Sequence, residues 1–189
     1  MQAINMLSQY SSQPREGHFD WLIKVWGYLK KFPSCFICIN PAIPKFNLEK
    51  KEFDWIEQYP NAIKEIPPDI PEPKGQKVKM ICYVDSNHAY DTVTRRSNSV
   101  YIIVLNFTPV DWFSKKQATV EVATNGAKFV ALMTAVEKIK AWWYTLRMLS
   151  VPIDGPCIVF GDNLPIVMNS TNPTSQLKKK HLGIAYHLV

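Results

Sequence analysis

The chain has 189 residues, of which 47% are apolar and 20% charged, with a net charge of +6 and a pI near 9.1. That apolar content excludes wholesale disorder, and the length sets one ordinary domain or a domain with an appendage. No apolar run reaches the roughly 18 residues of a helical membrane span, so no membrane partner is expected. The basic balance fits a polyanionic partner and equally an ordinary soluble protein.

The first element expected is a helix from Phe19, where Phe19, Leu22, Ile23, Trp26 and Leu29 recur at helical spacing and Pro33 closes the run. Residues 36–39 then read as a short strand. A helix and one strand cannot bury their own apolar face, so residues 1–40 should dock on something else. This zone holds Cys35 and Cys38, a CxxC that raises zinc or a redox pair. A structural zinc site takes four ligands, normally two such pairs, and the other cysteines, Cys82 and Cys157, do not form one. Set in an apolar run, Cys35 and Cys38 are expected as buried thiols acting as small hydrophobes. The polar, mixed N-terminal residues carry no signal-peptide pattern, and a reducing compartment, cytoplasmic or nuclear, is the expected location.

Residues 41–77 read as a Pro-rich linker. Pro41, Pro44, Pro60, Pro67, Pro68, Pro71 and Pro73 break any long helix or ladder. The 67–73 segment should be extended and polyproline-like, and Phe53, Trp55 and Tyr59 should pin part of the linker to a neighbour.

The fold is expected over residues 78–189. Val78, Met80, Cys82 and Val84 alternate on one face of a strand that ends at Asp85. Two further strands, 99–105 and 110–115, follow at short spacing and favour an antiparallel meander. A long helix over 125–149 carries the stripe Phe129, Leu132, Met133, Val136, Ile139, Trp143 and Leu146, with Thr124 or Asn125 as its cap. Trp142 and Trp143 are expected to pack as core or interface. After a turn at 151–156, a buried strand at 157–160 ends at Gly161-Asp162-Asn163, and helices follow near 164–169 and 178–188.

The helical crossover should return the fourth strand parallel to the first, bringing their ends side by side. Asp85 and Asp162 then stand just past those ends, where ligands of such sheets collect. Two carboxylates there suit a divalent cation, which wants hard oxygen ligands. They equally suit loop-start or helix-cap aspartates. Arg95, Arg96, Lys115, Lys116, Lys178, Lys179 and Lys180 are candidates to grip phosphates, or else solvated faces. His88 reads as a loop histidine, and His181 and His187 are six apart, unfavourable for one helical face.

Several blocks now line up in order: Ala3-Ile4-Asn5-Met6-Leu7-Ser8-Gln9-Tyr10, Trp26-Gly27-Tyr28-Leu29-Lys30, Tyr83-Val84-Asp85-Ser86-Asn87-His88-Ala89, Thr94-Arg95-Arg96-Ser97, Trp112-Phe113-Ser114-Lys115-Lys116-Gln117, Gly161-Asp162-Asn163, and Lys180-His181 through Tyr186-His187. Together they resemble the Pol polyprotein of copia-type LTR retrotransposons, from the segment after the reverse transcriptase into the RNase H domain. The resemblance implies an α/β fold of RNase H type, with three antiparallel strands, a long helix, a parallel strand and further helices. It implies cleavage of the RNA strand of RNA–DNA hybrids with two Mg²⁺ ions and no small-molecule cofactor. Implied partners are the hybrid, or other nucleic acid, and the remainder of the Pol polyprotein with its reverse transcriptase. Residues 1–40 would be a remnant of the reverse-transcriptase connection. Asp85 would be the first metal-ligand Asp, and Asp162 the one after the long helix.

Two departures from the family stand out. The catalytic Glu belongs in the first turn of the long helix, and Lys128 occupies that position. Glu121, seven residues earlier, lies before the helix and is a poor substitute. The family also has a further strand and a final helix with a fourth carboxylate, so ending at Val189 implies a C-terminally truncated domain. An ammonium donates and cannot ligate a metal. Lys128 either bridges Asp85 and Asp162 in place of the ion or extends to solvent, leaving metal binding weak or absent. Three functions follow: a catalytically dead retroelement remnant with residual nucleic-acid binding, an active Mg²⁺-dependent hybrid ribonuclease with a rearranged site, or a recruited non-catalytic protein- or nucleic-acid-binding module.

Overall fold

A computed structural model describes residues 2–34, 36–46, 60–61 and 66–171. The chain divides into two compact units, Met1–Cys38 and Ile39–Val189. The expectations for Cys35, for Phe53, Trp55 and Tyr59, for Lys178, Lys179, Lys180, His181 and His187, and for a helix over 178–188 lie outside the described residues.

The first unit holds helix α1 (Gln2–Ser8) and helix α2 (Glu16–Lys31). The backbone N–H of Arg15 donates to His18 Nδ1 at 3.0 Å, satisfying one donor at the start of α2. Tyr10 stacks on His18 with ring centroids 4.0 Å apart. No residue of α2 is buried, and Trp21 and Trp26 are exposed. The short strand expected at 36–39 does not form: Phe36, Ile37 and Ile39 are exposed and join no ladder. Cys38 is exposed too, which corrects the expectation of a buried thiol. Local apolar content made the strand legible, but a strand needs a partner edge, and this segment has none among the described residues.

The second unit is a four-stranded sheet with helices. Strands β1 (Met80–Asn87), β2 (Asn98–Leu105) and β3 (Thr108–Lys116) form the antiparallel meander. Helix α3 (Thr124–Met148) crosses over to β4 (Ile158–Gly161), which pairs parallel to β1, and helix α4 (Leu164–Thr171) follows. The order is β3-β2-β1-β4. An isolated parallel bridge between Val78 and Ile153 extends the β1–β4 pairing toward its start.

The core lies between α3 and the sheet. Met80 and Cys82 from β1, Tyr101 and Ile103 from β2, and Ala135 and Leu146 from α3 are buried together. The expected stripe on α3 does face the sheet. Ala127, Ala131 and Ala135 are buried beside it, letting the helix approach closely. Trp142 and Trp143 pack against this core, and Trp142 Nε1 donates to Asp111 on β3 at 2.8 Å. The Cys82 and Cys157 thiols are pushed up to about 12, chiefly by burial.

Two local expectations change. The N-cap of α3 is Ala123, not Thr124 or Asn125; its carbonyl accepts from Gly126 and Ala127, with no side-chain cap. Asp85 lies inside β1 rather than just past its end, because pairing with β2 continues to Asn87. Where the first zone meets the linker the chain contacts the sheet: the Asn40 N–H donates to Thr108 Oγ1 at 2.8 Å, and Asn106 Nδ2 donates to the Pro41 carbonyl at 2.9 Å.

Candidate active site and basic edge

β1 and β4 run parallel, with Val84 paired to Gly161, so Asp85 and Asp162 each follow one member of the last pair in that register. Lys128 sits in the second turn of α3, which crosses the same end of the sheet. Its Nζ lies 3.3 Å from Asp85 Oδ1 and makes a close ion pair with Asp162 Oδ1. The lysine side chain is 15% exposed, against 63% and 66% for the two aspartates. The lysine is therefore sunk between two half-hydrated carboxylates. Burial alone would lower its pKa, but hydrogen bonds to Asp162 and Asp85 outweigh this and hold it above the ordinary lysine value. The same hydrogen bond holds the Asp162 carboxyl below the usual carboxylate range.

Beneath this trio is a cavity of about 280 Å³ floored by Leu132, Val136, Val159 and Ile166. Asn163 closes its rim: Oδ1 accepts from the Ile166 N–H at 3.1 Å and so starts α4, while Nδ2 donates to Asn125 Oδ1 at 2.9 Å. Asn125 is thus a tie to the β4–α4 turn.

These residues do not fit a pair of divalent ions. Two carboxylates and an ammonium carry a net charge of −1 before any metal enters, and the ammonium fills the space between the oxygens. Among the described residues, no group of three or more His, Cys, Asp and Glu side chains could hold a metal ion. Glu121 does not supply the missing carboxylate. It is buried before α3, its carboxylate reached by Thr119 Oγ1 at 3.4 Å, and its backbone carbonyl is 2.8 Å from His88 Nε2.

Four of the seven basic candidates are described, and they gather at the same end of the sheet as the trio. Register pairs Ser99 with Lys115 and Asn98 with Lys116, while Asn87 of β1 pairs with Asn98. With strands ~4.8 Å apart, the end of β3 is roughly 10 Å from the end of β1. Arg95, Arg96 and Lys115 are exposed. Lys116 is committed to an ion pair with Asp91. Sequence reasoning missed Asp91 and Gln117. Gln117 Nε2 donates to Ser99 Oγ and to the Ala127 carbonyl, both at 2.8 Å, tying the end of β3 to the first turn of α3, directly before Lys128. An Asp inside a polar loop was the available signal for the first, whereas a buried glutamine past a strand gives none.

The meander, the helical crossover and the parallel return to β1 define an α/β domain of RNase H type. No family model matches the chain. It is similar over 187 residues, 99% of its length, to the retrovirus-related Pol polyproteins from transposons RE2 and RE1 of Arabidopsis thaliana, at 24% and 23% identity. It spans only 11% and 10% of the length of those two relatives. It is also 28% identical over 145 residues to secreted RxLR effector protein 161 of Plasmopara viticola, covering 77% of this chain and 78% of that protein. Among solved structures, LC11-RNase H1, isolated from compost by a metagenomic approach, matches with a TM-score of 0.39 and 17% identity, covering 58% of this chain and 71% of that one.

Proposed function

We propose that this chain is a non-catalytic retrotransposon RNase H relative that binds RNA–DNA hybrid or other nucleic acid without cleaving it. The observation that carries the reading is Lys128, whose ammonium lies between Asp85 and Asp162. In related nucleases two Mg²⁺ ions at such a site would activate water and stabilise the leaving oxygen. Here Lys128 supplies positive charge at the same place. It can neutralise the carboxylates and donate hydrogen bonds, but it cannot ligate a metal or carry a nucleophilic water. Binding would rest on the basic edge of Arg95, Arg96 and Lys115, with Lys178, Lys179 and Lys180 as further candidates from the sequence. Phosphate contacts of that kind are largely indifferent to sequence. The reverse transcriptase and remaining Pol regions are the proposed polyprotein partners.

The test is cleavage of a labelled RNA–DNA hybrid with Mg²⁺ or Mn²⁺, beside Lys128→Glu and Asp85→Asn variants, with circular dichroism to show that each is folded. The native chain should give no cleavage. Native activity abolished by Asp85→Asn would instead support an active nuclease with a rearranged site. A recruited protein-binding module is a second reading, favoured by the exposed apolar residues of α2. Failure to bind nucleic acid would favour it.

A further inference from the structure

The basic edge holds four described cations, and the structure does not treat them alike. Among the described residues no ion pair engages Arg95, Arg96 or Lys115, whereas Lys116 is paired with Asp91. Asp91 is the centre of the β1–β2 loop. Its Oδ1 accepts from the Val93 and Thr94 N–H groups, both at 2.9 Å, and its Oδ2 takes the Lys116 ammonium. Its N–H donates to the Arg96 carbonyl at 3.1 Å, and its carbonyl accepts from the Arg95 N–H at 2.8 Å. The Asp91 side chain is only 16% exposed, although it sits in a loop. Hydrogen bonding to Lys116, then to this loop, holds its carboxyl well below the usual range.

Arg95 meanwhile sits at φ +55°, in the left-handed region where a side chain is disfavoured. Such a backbone persists only where its surroundings over-determine it, and strained residues of this kind cluster at ligand clamps. The loop is closed further by the Ala89 N–H on Ser97 Oγ at 3.1 Å and the Gln117 N–H on the Ser97 carbonyl at 2.8 Å. The bonds run from β3 through Lys116 and Asp91 to the backbone of both arginines.

We propose that Asp91 and Lys116 are a positioning pair that builds a phosphodiester-binding loop, presenting Arg95 and Arg96 to a nucleic-acid backbone. Lys116 is then an anchor rather than a phosphate ligand. The inference rests on the nucleic-acid-binding reading above and assigns its contacts within the basic edge. Fixing the backbone that carries the two guanidiniums lowers the cost of ordering this loop on binding, and planar guanidiniums pair with phosphate oxygens in a bidentate way.

Charge alone and positioning predict opposite signs at Asp91. Asp91→Ala removes a negative charge and frees Lys116, so simple electrostatics predicts tighter binding of a polyanion. Positioning predicts weaker binding. If the competent loop conformation falls to about a tenth of the population, apparent affinity falls about tenfold. The experiment is titration of an RNA–DNA hybrid at several salt concentrations against the native chain, Asp91→Ala, Asp91→Asn and the double variant Arg95→Gln/Arg96→Gln. Hydrogen exchange at the Val93 and Thr94 amides is read in the same samples. The expected results are loss of affinity and faster exchange in Asp91→Ala, and a smaller affinity loss in Asp91→Asn, which keeps an acceptor for the two amides. The double arginine variant should keep slow exchange and lose roughly 0.7–0.9 of salt slope per lost phosphate contact. Unchanged or tighter binding in both Asp91 variants, or an unchanged salt slope in the arginine variant, overturns the proposal. A native chain that binds no hybrid overturns the nucleic-acid reading itself, and with it this loop's ligand.

Discussion

Lys128 shows how one side chain redefines a site while leaving the backbone around it in place. Its aliphatic stem is sheltered and its ammonium faces two aspartates that are each more than 60% exposed. Water already satisfies much of those carboxylates, so the pairing adds modest stability. Lys128→Met, which keeps the apolar stem, should change unfolding free energy by about 1 kcal/mol or less in urea melts. The pH dependence is more diagnostic. Asp162 and Asp91 are depressed in the folded state, so the stability they contribute is present above the unfolded carboxylate value of roughly 3.9 and is lost as pH falls through their folded values. Lys128 is raised, so its contribution is present below the unfolded lysine value of roughly 10.4 and is lost as pH rises through the folded one. Lys128→Met should therefore flatten the alkaline limb of the stability profile and remove part of the acid limb, leaving the Asp91 part. A second residue-scale consequence concerns Gly126. A Cβ there would stand 2.5 Å from Glu121 Oε2, whose side chain is buried. Gly126→Ala should thus fail to give the roughly 1 kcal/mol gain usual for a glycine inside a helix, and lower the melting temperature instead.

At the scale of elements, the contact that matters most is between the end of β3 and the start of α3. The first turn of α3 has no side-chain cap, and Gln117 ties it to the sheet through the Ala127 carbonyl. Gln117→Ala should leave α3 formed, because its buried stripe is untouched, but loosen its first turn. Amide exchange at residues 127–131 should quicken, and the alkaline limb attributed to Lys128 should weaken. Exchange unchanged across that turn would contradict the tie. This contact was not legible in the sequence, where a capping residue was sought at Thr124 or Asn125. Helix α3 itself was legible to within a residue at each end, since 25 residues of periodic apolar pattern outweigh local ambiguity. The strand expected at 36–39 failed for the converse reason: four apolar residues state a preference, and only a partner edge makes a ladder.

For the whole molecule, the order of elements and the parallel return of β4 followed from connection lengths and crossover handedness, and these alone bring the two aspartates to one end of the sheet. The lysine between them was legible only through the collinear family pattern, because no spacing rule marks one helical lysine among many. Ile103, fully buried in β2 against the α3 core, tests whether this sheet–helix unit folds cooperatively. Ile103→Ala should cost about 2–5 kcal/mol in a single transition read by both circular dichroism and tryptophan fluorescence. Two separate transitions would point to independent melting of parts of the chain.

The most direct test of the central claim is Mn²⁺ titration, followed by paramagnetic broadening of the NMR signals of residues 84–86 and 161–163. The lysine-filled site predicts no selective broadening in the native chain, selective broadening in Lys128→Glu, and its loss again when Asp85→Asn is added. Selective broadening in the native chain, as strong as in Lys128→Glu, would show that Lys128 yields its place to a metal and would contradict the account.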